Sequence, residues 1–232
     1  MCDSNLRENR TSVTSLVSVV LAVWLAVVFF LGATETFVTP PGTPPIRVLI
    51  GVLAPLIVFF AALWLSAAFR DFVLTIDLHL AAGIQAWRFA GLGFLALYAH
   101  GVLPGLFAWP AGLGDIAIGA TAPWVIAALV RRPDFASSRR FVVWNLLGIL
   151  DLVVAVGLGA LSAGLALGVA KGVTTTPMAL LPLVLIPAYL VPVFVMLHLA
   201  ALFQARHLVG LADSSAGRLG SAYDKLESKM GR

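Results

Sequence analysis

Six apolar stretches of about 20 residues run through this chain, and each is long enough to cross the hydrocarbon core of a bilayer. Hydrophobic residues make up 60% of the 232 residues and charged residues only 11%, which leaves too little polar sequence for a soluble domain. Backbone groups find no water inside a bilayer, so spanning segments of this kind must be helical. The sequence therefore predicts an all-α, polytopic bundle of six transmembrane helices. The expected spans are about 13–33, 48–69, 80–102, 110–130, 141–162 and 179–204.

Basic residues indicate how this predicted bundle is oriented. The spans divide the chain into an N-terminal segment (1–12), a transmembrane domain (13–204) and a basic tail (205–232). Cytoplasmic connections of membrane proteins retain Lys and Arg. If both termini are cytoplasmic, only Arg47 and Lys171 fall in outer connections. We therefore expect cytoplasmic termini, and a chain rich in Ala, Leu, Val and Gly but poor in Lys favours a bacterial plasma (inner) membrane.

The charge of +4 and the isoelectric point near 9.7 do not indicate nucleic-acid binding, because the basic residues mostly flank the spans. Phosphate-binding loops of the Walker A and GxGxxG types are absent from the sequence. Cys2 is the only cysteine, which excludes a disulfide framework and thiol redox chemistry. The expected partners are the lipid bilayer, further copies of the chain as a homo-oligomer, and a small-molecule ligand.

One arginine, Arg88, lies about nine residues inside the apolar stretch from Leu80 to Val102. At a helix rise of about 1.5 Å per residue, Arg88 and Asp151 of the fifth span both lie roughly 12–17 Å from the cytoplasmic boundary. An unpaired charge at that depth costs at least about 2.5–3.5 kcal/mol on insertion scales. We therefore expect the two side chains to pair, either as a structural salt bridge or as part of a substrate or proton site.

Small residues recur at helical spacing around two intramembrane aspartates. The stripe on the fifth span consists of Gly148, Asp151, Ala155, Gly159 and Ser162. The stripe on the fourth span consists of Gly112, Asp115, Gly119 and Ala122. Small side chains let helix backbones approach closely in a membrane. Both aspartates are therefore predicted to face the interior of the bundle.

Further polar residues occur at depths similar to that of Arg88. Gln85 precedes Arg88 by three residues and shares its helix face, while Asn145 and His198 lie at comparable depths on the fifth and sixth spans. An intramembrane histidine is often only hydrogen-bonded to a neighbouring helix, so its structural explanation stays open. The predicted substrate or proton site comprises Arg88, Asp151, Gln85, Asn145 and His198.

A second polar group, Glu35, His100 and Asp115, is expected near the outer boundary. Asp115 has a structural explanation, because Pro110 can occupy the first helical position and a nearby carboxylate is stabilised by the helix dipole. The functional alternatives are a gate carboxylate and a carboxylate–imidazole site of the kind that suits zinc or iron. No HExxH motif or cysteine pair accompanies the group, so metal and cofactor remain unknown at this stage.

Prolines interrupt the predicted helices in several places. The segment from Thr39 to Pro45 is too proline-rich to be helical and predicts an extended outer loop. Pro123, Pro187 and Pro192 fall inside spans, where each favours a kink. The tail is polar and contains Gly and Ser, so we expect it to be partly disordered, with at most a short surface helix near 223–230.

The paired charges, the small-residue faces and the kinks together favour a carrier or permease-like protein for a small polar or anionic molecule, with or without proton coupling. The first alternative is an intramembrane enzyme that acts on a lipid or isoprenoid-like substrate through Asp or His acid–base or metal chemistry. The second is a non-catalytic membrane assembly subunit in which every buried charge is structural. The residues alone do not decide among these classes, and whether the protein is an enzyme stays open.

Overall fold

The computed structural model describes residues 2–40, 43–164 and 172–230, and the described chain is all-helical. Lys171, an expected outer-side charge, and Arg232 lie outside the described residues. The α-helices are α1 (Cys2–Ala33), α2 (Ile46–Leu65), α3 (Ala67–Leu74), α4 (Leu78–Gln85), α5 (Leu92–Ala99), α6 (Gly105–Arg131), α7 (Arg139–Gly164) and α8 (Val191–Met230). Short 3-10 segments cover Ala86–Gly91, Pro133–Ser137 and Thr176–Ala179, and a π-helical turn covers Ile186–Leu190.

Six helical segments are long and apolar enough to cross a membrane, which confirms the predicted fold class and the number of spans. In chain order, which we use to number the spans, they are Ser12–Ala33, Ile46–Leu65, Leu78–Ala99, Gly105–Arg131, Arg139–Ala163 and Ile186–Gly210. The third span consists of α4, the 3-10 segment Ala86–Gly91 and α5 in sequence. The protein is therefore a multi-pass membrane protein by the length and composition of its helices.

Three predicted span boundaries differ from the structure by at least one helical turn, and each difference has a local cause. The second span ends at Leu65, because Ser66 adopts an extended backbone and caps α3 by accepting from Phe69 N. The fourth span begins at Gly105, so that Pro110 lies inside the helix. The sixth span begins only at Ile186, after a 3-10 turn and a further irregular stretch.

The connections define two ends of the bundle. We call the end that carries connections 34–45, 100–104 and 172–185 the cavity face, and the end that carries 66–77 and 132–138 the basic face. Arg47 is the only described arginine at the cavity face, where it donates to the Thr36 and Val38 carbonyls at 3.0 and 3.1 Å. The arginines at the basic face include Arg70, Arg131, Arg132, Arg139, Arg140 and Arg206.

The sixth span is the most enclosed of the six, and the first two spans pack around it. Pro192 has no N–H to donate to the Ala188 carbonyl, and the Trp24 indole of the first span donates to that carbonyl instead at 3.3 Å. Val28 of the first span is fully buried in a cluster with Val184 and Ala188. The third to fifth spans pack on the other side and complete the interior.

The C-terminal tail differs from the sequence-based expectation. Helix α8 continues without a break from the sixth span to Met230, where a partly disordered tail with only a short helix near 223–230 was predicted. The sixth span thus leads into a long helix, and the Gly and Ser residues of the tail do not interrupt it. Residues 231–232 lie outside the described part of the chain.

Candidate functional site

Arg88 lies in the 3-10 segment at the middle of the third span, and its side chain is 0% exposed. It follows the first residue of that span, Leu78, by ten positions, which corresponds to a depth of about 15 Å, half the thickness of a hydrocarbon core. Gly119 of the fourth span makes room for this segment, because a Cβ at Gly119 would collide with the backbone of Arg88 and Phe89. Direct backbone packing between the third and fourth spans therefore fixes the segment that carries Arg88 near the middle of the third span.

All three nitrogens of the Arg88 guanidinium donate hydrogen bonds. Nε donates to Asp115 Oδ1 at 2.7 Å, and one terminal nitrogen donates to Asp151 Oδ2. The other terminal nitrogen lies 3.3 Å from the Gly148 carbonyl and 3.2 Å from His198 Nε2. One arginine thus joins the fourth, fifth and sixth spans to the third.

The hydrogen bonds around His198 fix its protonation pattern. Asn145 donates through Nδ2 to the Phe141 carbonyl at 2.9 Å, so its Oδ1 is free to accept from His198 Nδ1 at 2.9 Å. Nδ1 therefore carries the hydrogen, and Nε2 accepts from Arg88, which is the pattern of a neutral imidazole. His198 is 0% exposed, and Gly148 leaves the space that its ring occupies, since a Cβ there would collide with the ring.

Gln85 lies beside this network without bonding to Arg88. Its Nε2 donates to the Phe194 carbonyl at 3.3 Å, and its Oε1 has no hydrogen-bond partner although the residue is only 1% exposed. An unsatisfied buried amide oxygen costs about 1–3 kcal/mol. Gln85 is thus a polar group held at the edge of the network with unused hydrogen-bonding capacity.

The five residues Arg88, Asp115, Asp151, His198 and Asn145 form what we call the central cluster. Two carboxylates face one guanidinium, and the imidazole is neutral, so the cluster carries one unbalanced negative charge when both aspartates are ionised. The side chains of Asp115 and Asp151 are 15% and 12% exposed, whereas that of Arg88 is fully enclosed. The excess negative charge of the cluster therefore lies on the two carboxylates.

A cavity of about 260 Å³ extends from the connections at the cavity face down to Asp115. Threonines and prolines of the 39–45 and 174–176 connections line its outer part. Its walls are apolar and include Phe94, Phe107, Leu152 and Met178. Asp115 is the only ionisable side chain among the described residues that line it, so the cavity joins the cavity face to the central cluster through a single carboxylate.

On the opposite side of the cluster, the path toward the basic face is closed. A narrow crevice there is lined by Gln85, Asn145 and His198 together with apolar neighbours such as Ala81 and Trp144, and it leaves no room for a water molecule. The polar groups of the cluster therefore lie between an open cavity and a closed crevice.

The structure differs from the predicted outer group of Glu35, His100 and Asp115. Asp115 joins Arg88 instead, because the fourth span begins at Gly105 and places it ten residues deep. His100 is exposed and bonds through Nδ1 to the Ala96 carbonyl at 2.8 Å. Glu35 is exposed and adopts a left-handed backbone with φ of 52° just after α1 ends. The three side chains do not meet, and Pro110 is not a first helical residue.

Among the described residues, no group of three or more His, Cys, Asp or Glu side chains lies close enough to hold a metal ion. The predicted carboxylate–imidazole metal site at the outer boundary therefore has no counterpart in the described structure. Trp87, the residue before Arg88, is 76% exposed and lies on the outside of the bundle.

Asp77 and His79 lie just before the third span at the basic face. Asp77 Oδ1 accepts from the His79 backbone N–H at 2.8 Å and lies 3.0 Å from His79 Nδ1. The backbone hydrogen bond is the main reason that the pKa of Asp77 lies below its ordinary value, and the side-chain hydrogen bond from His79 adds to the effect. Asp77 therefore acts as a helix N-cap for α4.

Two features of the site were missed by sequence reasoning. The first is that Asp115 shares Arg88 with Asp151. A fourth span that begins at Gly105 places Asp115 at a depth similar to those of Arg88 and Asp151, whereas a start at Pro110 does not. The second is the cavity, which is formed by residues far apart in the chain and has no local sequence signal.

Comparison with known proteins assigns the chain to a family. Residues 45–206 match a family described as "Domain of unknown function (DUF8737)", and this region includes the second to fifth spans, most of the sixth, and every residue of the central cluster. No match was found among curated proteins or among solved structures. Because the match covers well over half of the chain, the protein belongs to this family.

Proposed function

We propose that this family member is a small proton-coupled carrier for a polar molecule, and that the central cluster is its coupling site. The observation that carries the proposal is that two carboxyl groups, those of Asp115 and Asp151, contact the single guanidinium of Arg88 in the middle of the spans. A site of this composition can bind a proton or another cation that balances its excess negative charge. Binding of this kind is the chemistry of a coupling site.

The two carboxylates differ in whether a cation balances them. One carboxylate balances the guanidinium, and the second has no further cation among the described residues around it. A buried charge without a counter-charge is strongly unfavourable, so a proton or a ligand cation binds there with a large gain. Arg88, Asp115, Asp151 and His198 are the ionisable groups that take part in this balance.

The two ends of the bundle supply the asymmetry that transport requires. The cavity reaches the cluster from one face, while the crevice lined by Gln85, Asn145 and His198 is closed toward the other. A carrier alternates between two such states, and closing one path while opening the other moves the bound ion across. The unused Oε1 of Gln85 lies on the side that would open in the second state.

The backbone near the cluster contains the irregular segments that such a change would use. The third span is 3-10 helical over Ala86–Gly91, and the sixth span begins with the π-helical turn Ile186–Leu190, which contains Pro187. Segments of this kind occur at functional hinges and bends in helices. Both lie on spans that contribute residues to the cluster.

Of the polar and anionic ligands that the sequence left open, the geometry disfavours the anionic ones and favours a cationic or neutral ligand. An anion would have to compete with two carboxylates for Arg88, whose side chain is fully enclosed. It would also meet the carboxylate of Asp115 at the end of the cavity. The favoured charge of the ligand therefore follows from the number of aspartates that contact Arg88. Depth counting on the sequence predicted one such aspartate, and the structure has two.

The proposed orientation places the basic face in the cytoplasm of a bacterial cell, with both termini on that side and the cavity open to the exterior. The described arginines at the basic face support this orientation, since the positive-inside rule retains such residues in the cytoplasm. In this orientation the structure corresponds to the outward-open state of the carrier.

One other class is favoured by a specific observation. All hydrogen bonds of Arg88 are internal, as a non-catalytic assembly subunit with structural charges would have them. An intramembrane enzyme is less well supported, because an acid–base pair would need a second ionisable group in the cavity beside Asp115, and no other described residue supplies one.

Proteoliposomes test the proposal directly. Purified protein is reconstituted with a pH-sensitive dye inside, and proton movement is recorded after external addition of amines, amino acids, sugars or carboxylates. We expect at least one class to move protons with the wild type and not with Asp151→Asn, while Asp134→Asn, at a carboxylate in the 3-10 turn of the basic face, behaves as the wild type. If no class moves protons or solute with folded protein, the assembly-subunit class replaces the carrier.

A further inference from the structure

The cavity has the chemistry of a site for a small organic cation. Only Asp115 is ionisable among its described lining residues, and Oδ1 of that side chain is used by Arg88. No described residue donates a hydrogen bond to Asp115 Oδ2. The side chain is 15% exposed, so one carboxylate oxygen is accessible to a partner in the cavity.

The charge around Asp115 also favours a cation. Arg88 is shared with Asp151, so it cannot neutralise both carboxylates. Arg47, the one described arginine at this face, is not among the lining residues, and its guanidinium donates to loop carbonyls. A cation that enters the cavity is therefore attracted by the carboxylates of the cluster. No positively charged side chain of the described chain lines the cavity to repel it.

The walls of the cavity fit the organic part of such an ion. Phe94 and Phe107 contact each other edge to face, with centroids 5.3 Å apart, and both line the cavity. Met178, Leu152 and Val191 supply further apolar surface. Aromatic rings attract organic ammonium groups through their faces, and apolar walls favour a hydrocarbon body over a hydrated metal ion.

The size of the cavity favours a small ligand. Its volume of about 260 Å³ lies just below the range of roughly 300–1,000 Å³ that is typical of small-molecule sites. One small ring or short chain with an ammonium group fits this space, while a two-chain lipid does not. The mouth is bordered by Thr39, Thr43 and Thr174, whose hydroxyl groups are neutral.

We infer that the cavity binds small arylalkyl- or alkylammonium ions, with Asp115 as counter-ion and Phe94 and Phe107 against the organic body. The inference names the substrate class of the proposed carrier. It rests on the proposed function only where it concerns transport of the ion. Binding itself requires the cavity and Asp115 alone. The ammonium group takes the place of the proton that otherwise balances the cluster, so binding and protonation compete.

Binding is measured by isothermal titration with the full chain in nanodiscs of uncharged phosphatidylcholine. Benzylammonium is the probe, and benzyl alcohol and benzoate are its neutral and anionic matches. We expect benzylammonium to bind and the two matches not to bind at the same concentrations. Asp115→Asn is expected to weaken binding by more than about tenfold, as loss of one partner of an enclosed charge pair does.

Two further variants separate binding from folding. Ala160→Phe fills the cavity without changing charge and is expected to abolish binding, while Glu35→Gln removes a carboxylate from the same face without altering the cavity lining and is expected to bind as the wild type. Equal binding of all three probes, or benzylammonium binding that survives both Asp115→Asn and Ala160→Phe, would overturn the inference.

The outcomes also separate this inference from the proposed function. Saturable benzylammonium binding without any proton or amine flux in proteoliposomes would leave the binding site in place and reject the carrier. Proton-coupled flux of another solute class, with no benzylammonium binding, would retain the carrier and reject the ammonium site.

Discussion

The cavity face and the basic face enclose the same central cluster in opposite ways. At the cavity face, irregular connections rich in proline and threonine surround an open space that ends at Asp115. At the basic face, Gln85, Asn145 and His198 are packed into a crevice that excludes water. The polar residues of the central cluster are therefore accessible from one side only, although they belong to one connected network.

The difference has a local origin in the connections. At the basic face, the short helix α3 fills the connection between the second and third spans, and Gln204 donates to the carbonyls of Val73 and Ile76 at its end at 3.0 and 2.9 Å. Ser138 caps α7 by accepting from Phe141 N at 3.2 Å. Helical, capped connections close one end, and extended loops leave the other open.

The strongest way to break this arrangement is to remove the residue that both ends share. Arg88→Met leaves Asp115 and Asp151 buried together without a counter-ion, and we expect a loss of about 3–5 kcal/mol in the free energy of unfolding. Thermal unfolding in nanodiscs measures the effect. Combining Arg88→Met with Asp151→Asn should recover part of the loss, whereas Arg47→Met at the exposed loop clamp should cost far less. A loss no larger than that of Arg47→Met would contradict the central position of Arg88.

Close packing between the third and fourth spans supports the cluster from behind. Gly119→Ala places a Cβ against the backbone of Phe89, and overpacking of this kind costs about 1–3 kcal/mol. Gly157→Ala is the matched control, because a Cβ there meets no atom within 4 Å. Denaturation of both variants in the same detergent should show destabilisation for Gly119→Ala only, and equal stability would show that the segment Ala86–Gly91 can shift freely.

The closed end of the cluster is expected to be more sensitive to loss of a polar side chain than the open end. His198→Ala leaves Asn145 Oδ1 and one Arg88 nitrogen with fewer partners and should cost about 1–3 kcal/mol. Thr175→Val at the cavity face removes one hydrogen bond to the Gly159 carbonyl and should cost about 0.5–1.5 kcal/mol. Unfolding midpoints that rank in the reverse order would mean that the crevice is not held shut by His198.

The smallest effect is expected at the entrance of the third span on the basic face. Asp77 has a folded-state pKa below its unfolded value, so its capping contribution is present above about pH 3.9 and is lost as the pH falls through the folded value. Asp77→Asn, which retains a capping side chain, should remove this acid dependence. Thermal unfolding of wild type and variant between pH 7 and pH 2.5 should show stability curves that converge at low pH. Parallel curves over the whole range would contradict the assignment.

Hydropathy alone predicted the number of spans, because each is predominantly apolar over at least 20 residues even where it contains a charged residue. Depth counting brought Arg88 and Asp151 together, since equal distance from one boundary is a property of the sequence. It failed for Asp115, whose depth depends on whether the fourth span starts at Gly105 or at Pro110. The 3-10 segment around Arg88 and the cavity depend on contacts between distant residues, which no local pattern encodes.

Side-specific cysteine labelling tests the carrier account most directly. In a Cys2→Ser background, Ala160→Cys in the cavity and Ala81→Cys in the crevice are labelled in sealed vesicles with a membrane-impermeant maleimide added to one side at a time. The account predicts labelling at position 160 only from the cavity side, and at position 81, which the closed crevice protects, only the small amount from the basic side that the second state allows. When Asp151→Asn neutralises the excess charge of the cluster, labelling at 160 should fall as labelling at 81 rises. Labelling at both positions that is unaffected by Asp151→Asn, or that rises and falls together, would contradict alternating access and leave the cluster a structural element.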